Sequence, residues 1–130
     1  MAEIIDRPVC ENGLVTLMAR IVDQSNGNIL QAEINTVTYT VYLMDDQNPD
    51  SGIAVAEHSN VTLTVADVIF DTLQIDPIWT VDAVGYNFRH VFGWMDHPAF
   101  TVVGRWYEVD YQLTPAVGQM ILVRFRIYAR

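Results

Sequence analysis

Residues Arg105–Tyr128, RWYEVDYQLTPAVGQMILVRFRIY, decide the fold. Tyr107, Val109, Tyr111 and Leu113 alternate with Trp106, Glu108, Asp110 and Gln112, the period of two that marks a strand with one buried face. After Thr114-Pro115-Ala116-Val117-Gly118, a loop with Pro and Gly, Ile121, Val123, Phe125 and Ile127 alternate with Leu122, Arg124, Arg126 and Tyr128. The pattern predicts a β-hairpin over Arg105–Leu113 and Gln119–Tyr128. Its outward faces set Glu108 and Asp110 against Arg124 and Arg126, so opposite charges can pair across the strands and fix the register.

Working back towards the N-terminus, the same period recurs. TVTYTVYLM, Thr36 to Met44, turns Val37, Tyr39, Val41 and Leu43 one way and Thr36, Thr38, Thr40 and Tyr42 the other. In Leu14 to Val22, Val15, Leu17, Ala19 and Ile21 share a face, and the turn-forming run Asp23–Asn28 closes that strand. Ile53–Glu57 and Val61–Val65 read as a small hairpin about His58-Ser59-Asn60. Ala66 to Leu73 has helical spacing over one or two turns. Ile78–Ala83 and Tyr86–Phe92 are strand candidates around Gly85, with Trp79 as a core anchor. Seven or eight short strands without a βαβ rhythm predict an all-β fold, an immunoglobulin-like sandwich of antiparallel strands with one short helical turn. Residues 1–13 read as an N-terminal arm and residues 14–130 as one domain.

Composition narrows the function classes. The 130 residues are 51% hydrophobic but in short runs, so no membrane span is expected. The N-terminus lacks a basic region followed by an apolar stretch, so synthesis in the cytoplasm without a signal peptide is expected. Cys10, the single cysteine, has no intrachain partner and no zinc-type spacing. Sixteen acidic against seven basic residues give a net charge of −9, which repels phosphate backbones and argues against nucleic acid as a partner. All seven basic residues are Arg, which suits protein interfaces, although codon usage gives the same bias.

No residue set points to catalysis. His58, His90 and His97 fall in a turn, a strand and a loop without a second ligand at a metal or triad spacing. Glu108 and Asp110 share a face as a glycosidase pair would, but solvated strand faces carry such charges ordinarily, and the neighbouring arginines should keep both ionised. Asp46, Asn48, Asp50, Gly52 and Glu57 stand at positions 1, 3, 5, 7 and 12 of a calcium-type loop, whose sixth position is Ser51 rather than Gly and which contains Pro49. Both a plain acidic turn and a calcium site holding Asp46, Asn48, Asp50 and Glu57 follow from that spacing. In Phe92–Phe100, Trp94, Met95 and Phe100 have the character of interface anchors, while the alternative folds Trp94 and Phe100 back to cap the sandwich. Trp106, Arg124 and Arg126 complete the candidate partner-binding set. No cofactor is expected.

The residues Asp71-Thr72-Leu73-Gln74, Trp79-Thr80, Gly85-Tyr86-Asn87-Phe88-Arg89-His90 and Tyr107–Pro115 give the last sixty residues a pattern of core and turn positions. In it the chain resembles small immunoglobulin-like proteins of bacteriophage and prophage-type gene clusters. The resemblance implies a non-enzymatic virion structural protein, a head decoration, neck or tail accessory, whose partners are other virion proteins or copies of itself. The competing expectation is a carbohydrate- or surface-binding module, calcium-assisted, in which Trp94 and Trp106 stack on sugar rings.

Overall fold

Alternating apolar residues make strands here because the longer strands Ile34–Met44, Trp106–Pro115 and Ile121–Ala129 turn one face to a shared interior, and the computed structural model shows two sheets meeting across it. It describes residues 2–9 (backbone only), 15–23, 27–45, 47–48, 51–79, 82–92 and 99–129. The strands in chain order are β1 (Ala2–Val9), β2 (Val15–Ala19), β3 (Ile34–Met44), β4 (Gly52–Ala54), β5 (Val61–Leu63), β6 (Ile69–Gln74), β7 (Tyr86–Phe92), β8 (Trp106–Pro115) and β9 (Ile121–Ala129). One sheet runs β1-β9-β8-β3-β4, with β5 also on β3, and the other runs β2-β7-β6. The molecule is an all-β sandwich.

The predicted hairpin is β8 and β9, with Glu108 opposite Arg126 and Asp110 opposite Arg124. Tyr39 faces Tyr111 across β3 and β8. Leu17, Val37, Val41, Ile69, Phe88, Val109, Phe125 and Ile127 are fully buried between the sheets, each stabilising the fold by about 1.5–3 kcal/mol of removed apolar surface. Asn87 is buried with them because its amide stands in for a backbone unit: Oδ1 accepts from Ile21 N at 2.8 Å and Nδ2 donates to Ile21 O at 2.9 Å.

The structure differs from the sequence reading, or adds to it, at five points. The segments Gly52–Ala54 and Val61–Leu63 do not pair with each other; both lie antiparallel along one edge of β3, against Tyr42–Met44 and Val37–Tyr39. β3 is 11 residues long and offers room for both in succession, while Glu57 and Asn60 at φ 69° and 53° turn the intervening chain out. The helical turn is only α1 (Val65–Val68), after which Ile69 enters β6 and the core. A 3₁₀ turn at Gln31–Glu33 had no sequence signal. Residues 2–9 form β1, whose pairing with β9 is parallel. Within Ile78–Ala83, the described Ile78, Trp79, Asp82 and Ala83 lie outside any strand.

That last segment is a roof. Asp76 accepts from Ile78 N and Trp79 N through Oδ1 and from the Tyr86 hydroxyl through Oδ2 at 2.7 Å. Asp82 accepts from Trp79 Nε1, Val84 N and Gly85 N, and pairs with Arg20 at 2.8 Å. Local capping by two carboxylates satisfies the backbone that a strand would have paired. Trp79 is therefore buried not between the sheets but on the outer side of β2 and β7, with Met18, Tyr86 and Phe70. Gly85, at φ 111°, is required there: a Cβ would sit 2.5 Å from Gln74 O.

Candidate functional site

The strand period places four charged side chains on the outer face of β8 and β9. Arg124 grips Asp110 with two bonds, Nε to Oδ1 at 2.8 Å and Nη2 to Oδ2 at 3.2 Å. Its Nε is also 3.3 Å from Glu108 Oε2, and Arg126 Nε is 3.9 Å from Glu108 Oε1. Planar bidentate pairing orients Arg124, whereas Arg126 is the outlying member. The two carboxylates border a recess of about 360 Å³ with Tyr42, Met44, Ser51 and Gly52.

Glu108 departs from the sequence expectation of an ordinary ionised surface carboxylate. It is 8% exposed, and its pKa is raised, first by burial and next by Asp110, against the opposing pull of Arg124 and Arg126.

Trp106 stands at the end of the same face, 46% exposed, with Val102 and Val103 also exposed nearby. Its ring packs on Tyr128, directly opposite in the ladder, at 5.1 Å between centroids. The rings are tilted by 56°, so the two do not make a flat platform for a sugar ring. Tyr128 was missed, although the hairpin register that pairs Glu108 with Arg126 also pairs Trp106 with Tyr128.

Phe100 is not a surface anchor. It is 2% exposed and packs edge-on against Phe92 and Tyr107, capping the core as the alternative reading had it. Trp94, Met95 and His97 lie outside the described residues, as do Asp46 and Asp50 of the acidic loop. Asn48 accepts from Ser51 N in a turn, and Glu57 lies beyond β4, past the extended residues along Tyr42–Met44. Among the described residues no three His, Cys, Asp or Glu are grouped to hold a metal.

Two histidines classed as isolated turn out to be joined. Tyr39 OH and His58 Nδ1 are 2.8 Å apart, and Tyr111 OH and His90 Nδ1 are 2.6 Å apart. The Tyr39 ring touches both imidazoles, Tyr111 and Phe92, at centroid distances of 5.1–5.9 Å. Burial, and next His58, drives the His90 pKa down to about 4, and burial pushes both phenols up. His90 and the two phenols therefore stay neutral near pH 7. The inward positions of Tyr39, Tyr111 and His90 were readable from strand period; the approach of His58 depends on how its turn folds back onto Val41, to whose N–H it offers its carbonyl. Chemically, the cluster is a set of matched donors and acceptors that joins the two sheets. No family model and no curated protein matches this chain in sequence.

Proposed function

We propose that this chain is a non-enzymatic assembly protein, a bacteriophage virion component of the head-decoration, neck or tail-accessory kind, made in the host cytoplasm. It docks through the Trp106 end of its larger sheet. The observation that carries the reading is the exposed Trp106 ring packed on Tyr128, with exposed Val102 and Val103 a few residues before it in the chain, beside a ladder of charges already matched among themselves. An exposed Trp backed by a Tyr is the kind of residue that dominates protein interfaces, and the paired arginines give such a contact a polar rim.

The strand order supports the immunoglobulin-like part of this reading. β2-β7-β6 corresponds to B-E-D, and β4-β3-β8-β9 to C′-C-F-G, of that sandwich. The non-enzymatic part is supported by the pairing of the titratable groups described at these two places: the imidazoles of His58 and His90 each meet a phenol, and Glu108 and Asp110 each meet a guanidinium.

Size-exclusion chromatography with light scattering, over a wide concentration range in calcium and then in chelator, tests it. Discrete higher-mass species that ignore calcium, and that Trp106→Ser shifts towards the monomer without lowering Tm, are expected. A chain that stays monomeric at every concentration and captures glycans on an array in calcium is a carbohydrate-binding module instead.

A further inference from the structure

We infer that Ala2–Val9 is an exchangeable strand: each copy of the chain donates it to the β9 edge of a second copy. The inference concerns copies of this chain alone and stands whether or not they belong to a virion. It begins from how the edges of the two sheets are finished. β4 and β5 are three residues each, β2 is five, and the β6 pairing is irregular between Ile69 and Gln74. Short or irregular edges discourage strand addition. β9 is different, nine residues long and in unbroken register along β8. Uncovered, it would be the one long regular edge among the described strands.

What covers it is β1, in a parallel ladder of eight residue pairs from Ala2 opposite Leu122 to Val9 opposite Ala129. Among the described strands β1 is paired with β9 alone. The next strand in the chain, β2, belongs to the other sheet. An edge strand paired with a single neighbour can leave its own β9 and take the same place on another copy with every main-chain bond reproduced, which is the condition for swapping at low cost.

Charge favours the same occupant. The chain as a whole carries −9 and repels its copies. The donated segment has Glu3 and Asp6 against Arg7, while β9 has Arg124 and Arg126 and no acid. The register sets Asp6 beside Arg126. Pro8 has no N–H to offer a further strand, so β1 ends the sheet and does not template its growth. Association through this edge is thereby confined to exchange.

Cysteine pairing at one register position tests the exchange. Neighbouring strands lie about 4.8 Å apart, within disulfide reach, and Ala2 is opposite Leu122. Full-length Ala2→Cys and Leu122→Cys variants, each also Cys10→Ser and with distinct mass tags, are incubated together at high concentration and oxidised. A mixed covalent dimer is expected, and none when Ala2→Cys is incubated with Tyr128→Cys at the far end of β9. The inference is overturned if the first mixture stays monomeric while the double variant Ala2→Cys/Leu122→Cys closes within one chain. It is overturned equally if neither arrangement links, or if the Tyr128→Cys mixture links as well.

Discussion

Two groups of ionisable side chains are held out of water in this molecule, and they are handled in opposite ways. Between the sheets, His58 and His90 are matched to Tyr39 and Tyr111, and His90 is kept neutral. On the outer face, Glu108 and Asp110 are matched to Arg124 and Arg126 and kept within ion-pair distance. The interior solution avoids the cost of a buried charge by supplying a neutral hydrogen-bond partner of complementary kind; the outer one accepts charge where water still reaches the guanidinium groups. The lesson is that burial alone does not set the protonation state. The available partner does.

Acid should break the symmetry most visibly. The folded His90 pKa, about 4, lies below its ordinary value of 6.5, so the unfolded chain takes up a proton first as pH falls. Its stability contribution is complete above pH 6.5, is lost between 6.5 and 4 and changes no further below, a loss of roughly 3 kcal/mol. Urea unfolding at pH 7 and pH 4 measures it, and His90→Gln should flatten that limb. Glu108 has the opposite sign: its raised pKa lets the folded state bind a proton first, so falling pH relieves a strain there. Glu108→Gln should therefore steepen the loss.

Tyr111→Phe comes next in size. Tyr111 is fully buried, and removing its hydroxyl strips His90 Nδ1 of this partner at a cost of about 1–3 kcal/mol, read as a lower urea midpoint with an unchanged slope. On the outer face, Arg124→Ala should cost about 1 kcal/mol, because its pairing is bidentate yet partly solvated. Arg126→Ala, whose closest carboxylate contact is 3.9 Å, should change the thermal midpoint by the equivalent of about 0.5 kcal/mol or less. If Arg126→Ala proved the costlier of the two, the ladder would be organised around Glu108 rather than Asp110.

The legible parts of this fold are those whose pattern is local. The β8–β9 hairpin, with its register and charge pairs, follows from alternation and a five-residue loop, and β2 and β3 follow from the same period. Where strands choose between distant neighbours, local reading fails: Gly52–Ala54 and Val61–Leu63 look like a hairpin but each prefers the long edge of β3. The Ile78–Ala83 segment looks like a strand because Ile, Trp and Val favour one, and Asp76 and Asp82 override that preference by capping nearby backbone N–H groups. Phe100 is apolar enough for an interface or a core, and only its contact with Phe92 and Tyr107 decides. Of the candidate site, Trp106, Arg124 and Arg126 occupy the face that alternation assigned them. The imidazole–phenol cluster escaped notice because its four members come from β3, β7, β8 and the turn before β5.

The parallel ladder between β1 and β9 also has a mechanical meaning. Ala2 lies beside Leu122 and Val9 beside Ala129, so the first strand enters at one pole of the sheet and the last leaves at the other. Traction applied to the two strands from those poles slides them lengthwise past each other. Their hydrogen bonds are then loaded together instead of being peeled apart one at a time, and the weakest-looking edge of the sandwich becomes its clamp under tension.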